Sequence, residues 1–171
     1  NPHSQRLIDE LHDRYPMINY TYVGNLGNRG VAEGNNQGIQ LAIDAGCSHT
    51  LLLNNDVVFR QMHLLQDIYQ RALDSGDKLV VPKILFYGTD KIWMAGGRLD
   101  KWRGSTAHVG GLENDGPEYQ VAGYFNYAPT CFMLIDNVLF EEIGMMDPVY
   151  FVYFDDTDFV YRATKRGYKV Y

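Results

Sequence analysis

The sequence contains little cysteine and no long apolar run. Its two cysteines, Cys47 and Cys131, show neither the spacing of metal ligands nor a disulfide framework, which is typical of a protein in a reducing cytoplasm. The longest apolar stretch beside a predicted strand, Leu51-Leu52-Leu53, is far too short to cross a membrane, and no signal peptide is recognisable. We therefore expect this chain to work in the cytoplasm.

Positive charge is also scarce. The chain has 15 Lys and Arg residues against 21 Asp and Glu residues, a net charge of -6, and so has no general attraction to phosphate backbones. We therefore expect no nucleic acid partner, whereas clustered carboxylates can hold a divalent cation. Apolar material is ample, since 46% of the 171 residues are hydrophobic, which is enough for one domain with a buried core.

The first half of the chain alternates between helical and strand-like patterns. The pattern predicts helices over 1–15, 31–45 and 64–73, and it predicts three strands in the same part of the chain. These strands cover residues 18–23, 49–53 and 78–82. This alternation is typical of a parallel α/β sheet, in which ligands bind beyond the carboxyl ends of the strands.

The second half is less regular. Residues 88–116 are rich in glycine and polar side chains, with short strand-like pieces such as Ile92-Trp93-Met94, and this composition predicts a loop-rich insertion. Beyond it, the pattern predicts strands over 127–135 and 168–171 and helices over 138–143 and 155–166. No repeat or low-complexity linker divides the chain, so a single domain is expected.

Two polar loops follow predicted strands. Residues 24–30 contain glycines that let the backbone approach a ligand, and the helix after them offers N–H groups to an anion, although a tight turn would use the same residues. Asn54-Asn55-Asp56 places a carboxylate directly after a buried strand. A carboxylate there can bind Mg²⁺ or Mn²⁺, although an Asx-rich turn would look the same.

Carboxylates are concentrated in Asp155-Asp156-Thr157-Asp158 at the start of the last predicted helix. Asp155 fits an N-cap, and Asp158 fits both the partner position of a capping box and an ion pair with Arg162. Asp156 is less needed for capping. With aromatic side chains just before it, Asp156 could be a general base in an aromatic-walled pocket.

Four segments in order along the chain resemble glycosyltransferase family 2, whose members have the GT-A fold. They are Asn25-Leu26-Gly27-Asn28-Arg29-Gly30 with residues 34–39, the DXD-like Leu51-Leu52-Leu53-Asn54-Asn55-Asp56, Gly96-Gly97-Arg98-Leu99-Asp100, and residues 144–168. The third is similar to a segment of rhamnosyltransferase-like members. The fourth is similar to the family's "G-x-x-D…YF-x-Y-x-ED-x-D…RA…GY" block and is the most specific.

The resemblance implies an α/β fold of the GT-A type, a three-layer sandwich around a mostly parallel sheet. It implies that residues 1–171 are part of one catalytic domain, with a donor half over 1–86 and an acceptor half over 87–171. The family's first strand and helix, with an aspartate that recognises the base, would precede Asn1, and a histidine metal ligand would follow Tyr171.

The resemblance also implies a role for each matched residue. Asp156 would be the catalytic base, and Asp155, which replaces the usual glutamate, would orient the acceptor or tune its neighbour. Asp56 would be the principal ligand of Mg²⁺ or Mn²⁺, and Asn54 a weaker one. The donor side would comprise Asn25, Gly27, Asn35, Asn36, Asn54, Asn55 and Asp56, and the acceptor side Gly123 and Tyr124.

The enzyme implied is a metal-dependent inverting hexosyltransferase. It would move a sugar from a nucleotide-diphosphate sugar to a hydroxyl of a glycan or a lipid-linked glycan, in the synthesis of a cell-surface polysaccharide. Its catalytic face would lie in the cytoplasm, at the inner face of the membrane, where it could associate peripherally.

Two other interpretations remain open from the sequence. A nucleotidyltransferase would need a basic, glycine-rich loop near its first strand, and the block over residues 144–168 argues against it. A non-catalytic or degenerate nucleotide- or carbohydrate-binding module is favoured by the amide at Asn54. Asp156 discriminates between these classes, because a binding module has no need of a buried, unpaired carboxylate.

Overall fold

The computed structural model describes the backbone of residues 2–171 and the side chains from Arg6 onward. The chain is mixed α/β, as predicted. The helices are α1 (Pro2–Arg14), α2 (Val31–Asp44), α3 (Leu64–Ser75), α4 (Val138–Ile143) and α5 (Asp155–Lys165). The strands are β1 (His49–Leu53), β2 (Leu79–Val80), β3 (Ile84–Leu85), β4 (Ile92–Met94), β5 (Gly97–Asp100), β6 (Ser105–His108) and β7 (Phe132–Asp136).

All five helices agree with the predicted positions, although the first residue of the first predicted helix lies outside the described residues. Glycine ends both α2 and α3, and α3 runs two residues beyond its predicted end at Leu73. Gly46 has a φ of 74°, and Gly76, the C-cap of α3, has a φ of 72° and donates its N–H to the carbonyl of Ala72. Both residues adopt the left-handed conformation that glycine reaches without steric cost.

The central sheet has the order β1-β7-β2, and β7 is antiparallel to both of its neighbours. The prediction of a mostly parallel sheet is therefore wrong for the paired strands. The helix α3 does connect β1 and β2 so that they run in the same direction, as a crossover requires. β7 comes from much later in the chain and lies between them in the opposite direction, which local periodicity does not reveal.

Three predicted strands differ from the structure. Residues 18–23 form no strand, and Ile18 and Val23 there are exposed. The strand predicted over 127–135 begins only at Phe132. Residues 168–171 contribute only single-residue bridges, in which Val170 pairs with Leu79 and Phe125. Apolar and aromatic residues allow a strand in each segment, but a strand also needs a hydrogen-bonded neighbour along its whole length.

Residues 84–108 form two antiparallel hairpins, β3–β4 and β5–β6, of which all but β3 lies within the predicted insertion. The second packs against the chain before β7, where the side chain of Asn126 accepts from the N–H of Leu99 and donates to its carbonyl. Glycine allows this close approach, because a Cβ on Gly97 would lie 2.6 Å from the carbonyl oxygen of Tyr127. The hairpin is thereby fixed beside the segment that leads into β7.

The main apolar core combines both halves of the chain. Side chains from α2, β1 and β2 pack with side chains from β7, α4 and α5 in one cluster, which includes Ile39, Leu79, Met133 and Phe159. A smaller cluster lies under α3. Within the described residues, no helix has the length and apolar character needed to cross a membrane.

Candidate functional site

The N-terminus of α5 presents two adjacent carboxylates in different environments. Asp155 is buried, and this burial, followed by the negative charge of Asp156, raises the pKa of its carboxyl group above the ordinary value. Asp156 is half-buried. The capping interpretation of Asp155 is wrong, because Phe154 is the N-cap residue and no side chain caps the helix. Asp158 forms the predicted ion pair with Arg162, with 2.8 Å between Oδ2 and Nε.

Asp156 is held by three hydrogen-bond donors. Its Oδ1 accepts from the backbone N–H of Thr157 at 2.6 Å and from the Thr157 hydroxyl at 3.1 Å. Its Oδ2 accepts from the hydroxyl of Tyr127 at 3.1 Å. None of the ion pairs found among residues 6–171 involves Asp156. The carboxylate is therefore oriented by neutral donors and not neutralised by a cation.

Tyr127 is buried between α5 and the β5–β6 hairpin. Its burial, followed by the charge of Asp156, raises the pKa of its hydroxyl group well above the ordinary value. The phenol therefore stays protonated at any pH at which the protein works, and it remains a donor. Its ring stacks on the imidazole of His108, with 6.2 Å between ring centroids and an interplanar angle of 20°.

The negative charges of Asp56 and Asp156 both reach the side chain of Cys131. The thiol is partly buried just before β7, and the backbone N–H of Asn54 donates to the Cys131 carbonyl at 2.8 Å. Burial is the main cause that raises the pKa of this thiol to about 11, and the negative charges of Asp56 and Asp156 both add to it. One thiol therefore feels a carboxylate from the end of β1 and another from the start of α5.

The aromatic loop over residues 150–154, directly before Asp155, has a strained backbone. Tyr153 and Phe154 both lie in the left-handed region, with φ angles of 66° and 64°. This conformation costs a non-glycine residue about 1–2 kcal/mol, and such strain is concentrated at functional sites. Both side chains are more than half exposed, so the surrounding packing does not explain why aromatic residues stand here.

The glycine loop over residues 24–30 meets this aromatic loop. The N–H of Val31 donates to the carbonyl of Phe151 at 2.8 Å, and a Cβ on Gly30 would lie 2.6 Å from the same oxygen. The first N–H of α2 is therefore occupied by protein. Within the loop, Asn25 exchanges two side-chain hydrogen bonds with Gln37, and Gly27 is exposed.

Asn35 and Asn36 face the loop after α4. The side chain of Asn36 donates to the carbonyl of Met146 at 2.8 Å and accepts from its N–H at 3.0 Å. Asn35 approaches the Met146 sulfur at 3.5 Å and also lines a cavity of about 360 Å³ between α2 and β1. The amide of Asn36 thus joins two parts of the protein through one donated and one accepted hydrogen bond.

Gly123 and Tyr124 lie in different surroundings from Asp156. The Tyr124 hydroxyl accepts from Arg71 at 3.2 Å and lies 3.4 Å from the carboxylate of Asp77. Gly123 lines a cavity of about 220 Å³. Neither residue has a recorded contact with Asp156.

The structure thus joins the acidic start of α5 to Tyr127, the end of β1 to the backbone of Cys131, and the glycine loop to the aromatic loop. The residues that sequence reasoning missed are Tyr127, Cys131 and Thr157. Thr157 lies beside Asp156 in sequence, so the signal was adjacency. Tyr127 and Cys131 reach the site only through the fold, and no motif in the sequence marks them.

A divalent cation at this site would have few protein ligands. Within the described residues, no group of three or more His, Cys, Asp or Glu side chains is arranged to hold a metal ion. Asp56 and Asn54 are exposed and offer one carboxylate and one amide oxygen. Because Mg²⁺ typically uses one or two carboxylates together with phosphate oxygens and water, this set fits a cation shared with a diphosphate.

Comparison with known proteins gives one informative likeness. No protein-family model matches the chain. The chain is similar to a protein of Haloferax volcanii named low-salt glycan biosynthesis hexosyltransferase Agl10, with 24% identity over 152 residues. The match covers 87% of this chain and 48% of the relative, so the chain spans about half the length of the curated relative it matches. This distant likeness supports a glycosyltransferase role.

Proposed function

We propose that this chain is part of the catalytic domain of an inverting glycosyltransferase of family 2. The enzyme would transfer a sugar from a nucleotide-diphosphate sugar to an acceptor hydroxyl. The observation that carries the proposal is the half-buried Asp156 carboxylate at the start of α5, which three neutral donors orient and no ion pair neutralises among the described residues. A metal-binding carboxylate and a general base on opposite sides of one sugar are the two groups that this reaction needs.

Asp156 is the proposed base. The acceptor oxygen attacks C1 of the donor sugar, the bond from C1 to the diphosphate oxygen breaks, and the hydroxyl proton passes to Asp156. Its half-buried position and fixed orientation support this role, because a base must be both reachable and aimed. Asp155 beside it is buried, which raises the pKa of its carboxyl group, and we assign it the role that the resemblance implies, of orienting the acceptor or tuning Asp156.

Asp56 and Asn54 would hold Mg²⁺ or Mn²⁺ jointly with the diphosphate. When bound, such a cation would stabilise the negative charge that develops on the leaving group. The chain's own contribution is to place one carboxylate and one amide at the end of β1. The remaining donor-side residues are proposed from the motif resemblance and comprise Asn25, Gly27, Asn35, Asn36 and Asn55.

The proposed fold is a GT-A sandwich whose sheet continues beyond the strands described. Two observations support this proposal. β1 is an edge strand beside the cavity of about 360 Å³, and residues 18–23 have strand-like composition without forming a strand. Further strands of the sheet would pair with the free edge of β1 and with residues 18–23. In this scheme residues 1–86 form the donor half and residues 87–171, with Gly123 and Tyr124, form the acceptor half.

The acceptor and the cellular location of this chain are proposals, and the name of the Haloferax volcanii relative supports the first of them. The relative's name refers to glycan biosynthesis, and we propose a glycan or lipid-linked glycan acceptor for this chain. A lipid-linked acceptor would require the catalytic face to lie at the cytoplasmic side of a membrane, with peripheral association. A rhamnosyl donor is proposed on the segment over residues 96–100 alone.

A binding module without catalysis is the second candidate, and Asn54 favours it, because an amide is a poorer metal ligand than a carboxylate. Calorimetry on the full-length protein separates the two. UDP, dTDP and GDP are titrated with and without Mn²⁺ into the wild type and Asp56→Ala. The matched control is Asp44→Ala, at the exposed last residue of α2. Metal-dependent binding of one nucleotide that only Asp56→Ala abolishes supports the transferase. Failure of all three nucleotides to bind favours a degenerate module.

A further inference from the structure

Tyr127 is the least explained member of the site. It is a large buried side chain, yet its hydroxyl is directed at Asp156 and not at a backbone carbonyl. A buried phenol needs a hydrogen-bond partner, and many arrangements would satisfy that need. Here the phenol donates to the carboxylate proposed as the catalytic base, and the side chains of Thr106 and Thr157 also interact with its hydroxyl.

We propose that Tyr127 is a positioning residue that fixes the orientation of the Asp156 carboxylate for proton transfer. The inference rests on the proposed function, and it assigns Tyr127 no contact with substrate. Thr157 holds Oδ1 from within α5, so its two bonds alone leave the carboxylate free to rotate about them. The bond from Tyr127 to Oδ2 comes from a different part of the fold and removes that freedom.

The position of Tyr127 is itself over-determined. Its backbone pairs with Gly97 at the start of β5, where a Cβ would lie 2.6 Å from the Tyr127 carbonyl oxygen. Its ring packs on His108, which in turn contacts Trp93 edge-on with 4.6 Å between centroids. The β5–β6 hairpin therefore acts as a support for the phenol, which gives a physical reason for glycine at position 97.

The chemistry of the phenol suits this task. Burial and the neighbouring negative charge raise its pKa, so the hydroxyl does not lose its proton and cannot become a second anion beside Asp156. A hydrogen bond to an ionised group is stronger than one between neutral groups. The phenol therefore acts as a permanent, rigid donor to the carboxylate.

The test uses the full-length protein with ¹³C-labelled aspartate carboxyl groups and the variant Tyr127→Phe, which keeps the ring and removes the hydroxyl. The Asp156 signal is identified by its loss in Asp156→Asn. We expect Tyr127→Phe to move this signal at neutral pH and to lower kcat about tenfold, with the donor KM unchanged. Tyr119→Phe is the matched control, because Tyr119 donates to a different carboxylate, Glu113, at 2.7 Å.

A second measurement does not need the Tyr127 variant to fold. With tyrosine labelled at ¹³Cζ, the Tyr127 signal should move in Asp156→Asn while the Tyr119 signal stays in place. An Asp156 signal unchanged in Tyr127→Phe, or a Tyr127 signal unchanged in Asp156→Asn, overturns the inference. If both signals move but the wild-type protein transfers no sugar to any acceptor tested, the proposed function fails, whereas the orientation of Asp156 by Tyr127 stands.

Discussion

The side-chain amide of Asn36 forms two hydrogen bonds with the backbone of Met146, one to its carbonyl at 2.8 Å and one from its N–H at 3.0 Å. Met146 is only 1% exposed. One side chain on α2 thus satisfies both backbone groups of a buried residue in the loop that follows α4. Asn36 belongs to a segment that resembles a donor-binding motif, but the contacts found here are structural.

Asn36→Ala should lower the free energy of unfolding by about 2–3 kcal/mol, because it leaves the buried N–H and carbonyl of Met146 without partners. Urea denaturation followed by circular dichroism measures the change. Asn25→Ala is the control, since Asn25 pairs with Gln37 at the exposed surface and its loss should cost less than about 0.5 kcal/mol. Equal stability of the two variants would refute the structural role of Asn36.

The strained aromatic loop gives a second prediction. In an ordinary exposed loop, glycine is less stabilising than alanine because it has more freedom in the unfolded chain. At Tyr153, whose φ is 66°, we expect the opposite order, with Tyr153→Gly more stable than Tyr153→Ala by about 1 kcal/mol. Thermal unfolding of both variants measures this order.

Val149 supplies the matched control for that loop. Its side chain is 76% exposed, as that of Tyr153 is, but its φ is not positive. There the usual order should hold, with Val149→Ala more stable than Val149→Gly. The same order at both positions would mean that Tyr153 carries no strain.

The Cys131 thiol reports on the convergence of the two carboxylates. In a Cys47→Ser background, alkylation of Cys131 by iodoacetamide should show a midpoint at a pH of about 11, because burial and two negative charges favour the thiol over the thiolate. Asp56→Asn and Asp156→Asn should each lower that midpoint. Rates measured from pH 7 to beyond the expected midpoint provide the test.

The raised pKa of the Cys131 thiol also makes the free energy of unfolding depend on pH. Its pKa is raised in the folded state, so the protein loses the corresponding stabilisation as pH rises from the ordinary thiol range through about 11.

Asp44→Asn is the control for the alkylation series, because Asp44 bonds to Gln40 on α2. If neither Asp56→Asn nor Asp156→Asn changes the midpoint, the two carboxylates do not share a site.

Much of the fold can be predicted from the sequence, and the reasons are local. Apolar spacing predicts α2 and α3, Gly46 marks the end of α2, and a short apolar run predicts β1. The position of β7 between β1 and β2 could not be predicted, because a strand's neighbour depends on contacts between distant parts of the chain. The strand prediction over 18–23 is wrong for a related reason, because strand formation requires a neighbouring strand that the local sequence does not specify.

The candidate site likewise combines residues that local motifs indicate with residues that only the fold brings into place. Asp56 and Asp156 can be proposed from the sequence because each stands next to an element boundary with a recognisable motif. The hydrogen bond from Tyr127 to Asp156 and the thiol of Cys131 between two carboxylates depend on the fold, so spacing alone could not reveal them. The left-handed conformation of Phe154 was equally hidden, since its residue type argues against it, and it replaced the expected cap on α5.

The most direct test of the account is the turnover of Asp156→Asn in the full-length protein, measured beside the calorimetric affinity for the nucleotide that the wild type binds. Because general base catalysis contributes roughly 10²–10⁴-fold, the account predicts a loss of turnover of that size with nucleotide affinity unchanged. Near-normal turnover in this variant would contradict it, since the proton would then be taken by another group.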